Sequence, residues 1–195
     1  MWAERQPRWT YVFMAASTIV FLLQQGTSMW VYLAFTPALA ARYPWTIVTS
    51  IFLHVDLSHL LFNMLALFLF GTALERRISS RLYASLFILS GVVGNVGYYF
   101  TVGSPLVPVL GASGAIYGVM GALAVLEPFR MVYFYGMVPL PMIAAAAMWA
   151  LADVTGLFIP SQVAHGVHLV GMFVGIVAGL YLRRVGGHGE AGYFM

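Results

Sequence analysis

LYASLFILSGVVGNVGYYFTVGSPLVPVLGASGAIYGVMGALAVL, residues 82–126, runs between Arg81 and Glu127 for 45 positions without one charged side chain. A helix that crosses the hydrocarbon core of a bilayer needs about 20 apolar residues, so this stretch is long enough for two. The cluster Thr101-Val-Gly-Ser-Pro105, with Pro108 behind it, is rich in turn formers and marks the break between them. The whole chain fits the same solvent. Of its 195 residues 62% are hydrophobic and 8% charged, and the mean hydropathy is +0.90; an ordinary soluble domain is about 25% charged. Six acids and nine arginines cannot coat a soluble surface of this size. The basic balance does not point to nucleic acid, because no lysine occurs and the arginines are scattered near expected helix ends. The absence of cysteine excludes disulfides, thiolate metal sites and a thiol nucleophile.

Working outward, the other charge-free windows hold the remaining helices. Arg8 to Arg42 encloses 33 uncharged residues, interrupted at Gln24-Gln-Gly26, which predicts a retained first span over 10–25 followed by an outer segment. Asp56 to Glu75 predicts a span over 57–75, and the opening stretch divides into spans over 82–101 and 113–126. Arg130 to Asp153 predicts a fifth span over 139–157 that starts near Pro139 and Pro141, and a sixth follows over 163–182 after the Pro160-Ser-Gln break. The expected fold is all-α, one polytopic membrane domain covering residues 1–195. Eight arginines fall on the side of the chain ends and only Arg42 falls opposite. Because positive charge accumulates on the cytoplasmic face, both ends are expected there.

Polar side chains inside apolar helices are costly and mark function. His59 and Asn63, four residues apart, share one face at the start of the second span. Ser113 opens the fourth span in Gly111-Ala-Ser-Gly114, and His168 lies about five residues into the sixth, in Ala164-His-Gly-Val-His168. Spans two, four and six all run inward from the outer face, so these residues share a shallow depth, about 8 Å below the helix ends. Gly114, Gly118 and Gly121 on the fourth span and Gly171, Gly175 and Gly179 on the sixth permit the two backbones to touch. Ser113 then comes within reach of His168, an imidazole suited to take its proton. The Asn63 amide, a His59 N–H and backbone N–H groups around Ser113 are candidate oxyanion donors, each worth about 3 kcal/mol in a soluble serine protease. Glycine on both sides of Ala112-Ser113 admits a substrate carbonyl. No carboxylate is expected at the depth of the pair: Asp56 and Ser58 read as caps of the second helix, and Asp153 as the outer end of the fifth. A Ser-His dyad is therefore expected. Tyr117, one turn after Ser113, is placed to stack on His168. His165 and His168 form an i, i+3 pair, and His54 and His59 add two imidazoles. No acid joins them and His-Glu-x-x-His is absent, so no metal is expected. His188 in the glycine-rich tail has no visible role.

At these positions the chain resembles the rhomboid intramembrane serine proteases, in their minimal prokaryotic six-helix form. The resemblance is carried by His54-Val-Asp-Leu-Ser-His59-Leu-Leu-Phe-Asn63, Gly111-Ala-Ser113-Gly-Ala-Ile-Tyr117-Gly and His168-Leu-Val-Gly-Met-Phe-Val-Gly175, in that order over roughly residues 45–182. It implies Ser113 as nucleophile, His168 as general base and then acid, His59 and Asn63 lining an oxyanion hole, and Tyr117, Gly111 and Gly114 in support. Phe62 and Trp149 resemble a lateral gate, and residues 26–44 resemble the family's membrane-embedded outer loop. The resemblance implies a multi-pass protein of the plasma membrane without a seventh helix or soluble domain. It would cut single-span transmembrane proteins near their outer end, with no cofactor, no nucleic acid and no obligatory protein partner beyond substrate and lipid bilayer. The alternatives are a catalytically silent rhomboid-like protein that binds membrane clients and a small transporter with a polar path.

Overall fold

The first helix, α1 (Arg8–Gln24), starts behind Pro7 with no side-chain cap of its own, and Glu75 from far along the chain supplies one. Its carboxylate accepts from Trp9 N–H at 2.9 Å and from Thr10 N–H and Oγ1 at 2.8 and 2.9 Å. Those N–H groups have no partner within the helix, and the positive end of the helix dipole favours the buried charge of Glu75. The computed structural model describes residues 6–134, 137–159, 161 and 163–188. Arg5, Pro160 and Gln162 lie outside the described residues.

After α1 come two short helices, α2 (Met29–Leu33) and α3 (Thr46–Thr49). Between them a 3₁₀ turn at Pro37–Leu39 and a single bridge from Phe35 to Val109 lay residues 26–44 over one end of the molecule. The next helix begins as α4 (Leu57–Ala66) with Asp56 as its cap, which accepts from His59 N–H at 2.7 Å; Ser58 Oγ donates to the same carboxylate. It continues through a π-helical turn at Leu67–Gly71 into α5 (Thr72–Arg77). Then follow α6 (Ser80–Thr101), α7 (Ser113–Leu126), α8 (Met142–Gly156) and α9 (His165–His188).

The continuous helix Leu57–Arg77, together with Ser80–Thr101 and His165–Val185, is long and apolar enough to cross a membrane; Ser113–Leu126 and Met142–Gly156 are shorter apolar helices. The chain is a multi-pass membrane protein. Its polar ends sort accordingly. Glu75 joins the start of α1 to the end of α5, and Glu127 at the end of α7 lies 3.7 Å from Arg77 and 2.7 Å from Arg130.

The expectation of an all-α chain needs one correction. Pro139 does not open the fifth helix, and Pro141 is only the residue that caps it. They lie in a two-stranded antiparallel hairpin of β1 (Met131–Phe134) and β2 (Val138–Pro141), with Met131 opposite Pro141. A two-stranded ribbon is all edge, so prolines that lack an N–H are tolerated in it, and α8 starts only at Met142. The last helix also reaches further than 182, running to His188.

The centre of the molecule is α7, whose side chains are buried from Gly114 to Ala124 with the exception of Tyr117, which is partly exposed. A helix apolar on every side belongs inside a bundle. It packs between α6 and α9, and the contact with α9 is backbone on backbone: a Cβ added at Gly171 would strike the Gly114 carbonyl, and one at Gly175 the Gly118 carbonyl. That contact sets the head of α7 beside the first turn of α9.

Candidate active site

Ser113 is the first residue of α7, behind a chain reversal that only glycine permits. Gly111 has φ +126°, a region L side chains rarely enter. A Cβ there would also approach the His59 ring to 2.8 Å. The Gly111 N–H donates to Ser50 O at 2.9 Å, and Asn95 on α6 fixes that segment by donating to Ser50 Oγ at 2.9 Å and Ile47 O at 2.8 Å. Asn95 did not stand out in the sequence, where it is one amide in an apolar span; its position opposite Ser50 is a property of packing.

Across the seam, His168 Nε2 lies 2.8 Å from Ser113 Oγ. The Tyr117 ring stacks on the imidazole at 4.3 Å between centroids and 13° between planes. The other imidazole nitrogen, Nδ1, lies 3.0 Å from Asp153 Oδ1. This overturns the expectation that no carboxylate accompanies the pair. The helix α8 ends where α9 begins, so the last turn of the one and the first turn of the other are level, and an acid read as a span boundary becomes the partner of a histidine in the next helix. The sequence carried a signal for it, since Asp153 is the only acid between Glu127 and Glu190 and an acid within an apolar helix is costly unless partnered.

Asp153 is 4% exposed and holds a second imidazole. His165 Nδ1 lies 2.6 Å from the same Oδ1, and His165 Nε2 lies 2.9 Å from Ser161 Oγ. An acid therefore does join His165 and His168, contrary to the reading of the sequence.

On the opposite wall, His59 Nδ1 accepts from Val55 N–H at 3.4 Å, which leaves Nε2 as its N–H donor; this nitrogen lies against Gly111. Asn63 is buried, and one N–H of its amide donates to His59 O at 2.9 Å, leaving the second N–H. Beside them His54 is fully buried with neither ring nitrogen hydrogen-bonded among the described residues, and its ring centre is 5.0 Å from that of His59. Burial, with His59 adding to it, pushes the His54 imidazole down to about 4. Asp56, exposed at the cap, is held below the usual carboxylate range by the Ser58 hydroxyl and the His59 N–H.

Asp153 lies behind the His168 ring, and His59, Asn63, Gly111, Ser113, Tyr117 and His168 line one cavity of about 1000 Å³. Phe62 and Trp149 also line it; Phe62 is 70% exposed, and Trp149 packs edge-on against Phe70 at 5.8 Å. A pocket that exposes a serine hydroxyl and an imidazole, with a carboxylate behind the imidazole, has the parts for acyl transfer.

Comparison with known proteins agrees with this architecture. The Rhomboid family model, described as the rhomboid domain, matches residues 41–185. The chain is 42% identical over 87 residues to the putative rhomboid protease YdcA of Bacillus subtilis (strain 168), covering 44% of this chain and 43% of that protein. It is 36% identical over 126 residues to the rhomboid protease GluP of the same bacterium, covering 60% of this chain and 24% of that one. Over 189 residues it is 28% identical to the mitochondrial rhomboid protein 1 of Saccharomyces cerevisiae, covering 89% and 53% of the two chains. The matches span between about a quarter and about half the length of these relatives. With a family match that takes in α3 through most of α9 and a helical membrane fold built around it, the chain belongs to the rhomboid family.

Proposed function

We propose that this chain is an intramembrane serine endopeptidase that cuts single-span transmembrane proteins near the outer face of the plasma membrane, crossing the bilayer six times with both ends in the cytoplasm. The observation that carries the reading is the 2.8 Å approach of His168 Nε2 to Ser113 Oγ at the wall of a large cavity.

In the first half of the reaction the Ser113 oxygen bonds to the scissile carbonyl carbon while its proton passes to His168 Nε2. Asp153 Oδ1 accepts from His168 Nδ1–H, which keeps the lone pair on Nε2 and offsets the imidazolium charge that forms. Tyr117 holds the ring in plane. The carbonyl π electrons move to oxygen, and the oxyanion accepts from the free Asn63 amide N–H, from His59 Nε2–H and from N–H groups of the first turn of α7, which have no intrahelical acceptor. The Gly111 N–H takes no part, because Ser50 O already holds it. Collapse breaks the C–N bond, and the proton on Nε2 goes to the departing amine. Water then attacks the acyl-enzyme, losing a proton to Nε2, and as the ester C–O bond breaks that proton passes from Nε2 to the Ser113 oxygen. Phe62 and Trp149 flank the opening through which a substrate helix would enter between α4 and α8. No metal is needed for these steps.

A direct test is cleavage of a single-span substrate by the purified chain in liposomes. The wild type cuts near the outer end of the span and Ser113→Ala does not; turnover by Ser113→Ala equal to wild type would remove the nucleophile assignment.

A further inference from the structure

The mechanism uses one face of Asp153, and the structure gives that residue more than an orienting carboxylate needs. Two imidazoles converge on it, at 2.6 and 3.0 Å from the same oxygen. Its side chain is buried, with the Tyr117 hydroxyl as a further hydrogen-bond partner. One ligand atom from each of Asp153, His165 and His168 lies within 4.8 Å of the others. Two imidazole nitrogens and a carboxylate oxygen are the donor set of an open zinc site, in which ligands sit about 2.0–2.2 Å from the metal and a water takes the fourth position. Outer support exists as well, since Ser161 Oγ is 2.9 Å from His165 Nε2 and would hold that ring with Nδ1 turned to the metal.

We propose that Asp153, His165 and His168 bind a transition-metal dication, with Zn²⁺ as the physiological class, and that the bound metal switches the serine off. Binding follows from the donors alone. The switching half rests on the protease reading above. A metal on His168 Nδ1 needs the lone pair of that nitrogen, so the proton it carried moves to Nε2. Nε2 then donates to Ser113 Oγ instead of accepting from it, and the hydroxyl loses its base. On His165 the proton moves likewise from Nδ1 to Nε2, where Ser161 Oγ accepts it. No proton is gained or lost. Mg²⁺ and Ca²⁺ do not substitute, because they select sites rich in oxygen ligands. The ion need not pass the substrate opening, since His165 and Ser161 also line a second cavity of about 440 Å³ beside Thr101 and Gly156.

The test uses the full chain without a polyhistidine tag, in detergent, stripped of metal with a chelator. With Ser113→Ala, which leaves all three ligands in place, Co²⁺ should produce the visible absorption of a four-coordinate ion up to one equivalent. Zn²⁺ should displace it, and adding His165→Gln should weaken binding at least about tenfold, as loss of a ligand or its support does. With wild type, Zn²⁺ at a concentration that displaces Co²⁺ should slow substrate cleavage at least about tenfold, EDTA should restore it, and Mg²⁺ should do nothing. Absence of the Co²⁺ spectrum in Ser113→Ala overturns the site. Binding without inhibition, or inhibition equally strong relative to its own metal-free rate in His165→Gln, overturns the switch. Metal-free wild type that binds Co²⁺ normally but cuts nothing counts against the protease reading and supports the site.

Discussion

The α7–α9 seam is lined by glycine and the α4–α8 flank by large apolar side chains, and the two differ in how closely their backbones approach. At the seam Gly171 and Gly175 touch the carbonyls of Gly114 and Gly118, leaving no room for a methyl group. On the flank Phe62 is 70% exposed, and Leu61 and Leu65 beside it and Leu151 on α8 are exposed too. Ser113 and His168 sit on the two sides of the seam, whereas Phe62 and Trp149 sit on the flank and line the same cavity. The contrast teaches how one small bundle serves two needs. A proton transfer over 2.8 Å needs a fixed distance, which backbone contact provides. Under the proposed function, entry of a substrate helix would need a wall that moves, which the exposed side chains of this flank permit.

The comparison can be broken at several points. The largest effect belongs to Ser113→Ala, whose cleavage rate should fall on the order of a million-fold, as in a soluble serine protease that loses its nucleophile; His168→Ala should fall as far, measured with the same single-span substrate. Next, Asp153→Asn should lower kcat by about 10²–10⁴-fold while leaving KM within about threefold, because it loses the orientation of His168 and not substrate contact. A KM effect of equal size would make Asp153 a binding residue instead. Gly171→Leu should cost more than the roughly 1–3 kcal/mol of ordinary overpacking, since the obstacle is a carbonyl that cannot turn aside; loss of the folded peak in size-exclusion chromatography checks it. By contrast Phe62→Ala should change melting temperature little, because an exposed ring has little burial to lose, and should alter cleavage by less than about tenfold. If Phe62→Ala unfolds the protein and Gly171→Leu does not, the contrast between seam and flank is wrong.

A further expected effect is one of pH. His54 is held neutral by burial, with its imidazole near 4 in the folded chain against 6.5 in the unfolded one. The unfolded chain therefore binds more protons between these values, so folding stability is constant above about pH 6.5 and declines as pH falls toward 4. Melting in detergent should show this decline, and His54→Gln should flatten it; an identical slope in both would remove His54 as its source.

Sequence alone located the apolar helices Leu57–Arg77, Ser80–Thr101, Ser113–Leu126, Met142–Gly156 and His165–Val185 to within a few residues, because gaps between charges of about 20 residues have few meanings in a chain this hydrophobic. It also brought Ser113 and His168 onto facing helices, through glycines spaced by single turns. Two features escaped it for a common reason. Asp153 and Glu75 served as markers of span ends, when each is buried and bonded across the bundle, Asp153 to two histidines and Glu75 to the start of α1. A charge at a boundary and a charge at a buried partner look alike until the neighbouring helix end is placed beside it. The hairpin at 131–141 escaped because Val138-Pro-Leu-Pro141 lacks the alternation that marks a strand, and two prolines read more naturally as a helix start.

The central claim is that His168 makes a nucleophile of Ser113. A fluorophosphonate probe applied to the chain in detergent, followed by mass spectrometry of the peptide that contains residue 113, tests it most directly. The account predicts labelling at Ser113 in wild type and its loss in His168→Ala. Labelling of Ser113 that is undiminished in His168→Ala, or a wild-type Ser113 that never reacts, would contradict it.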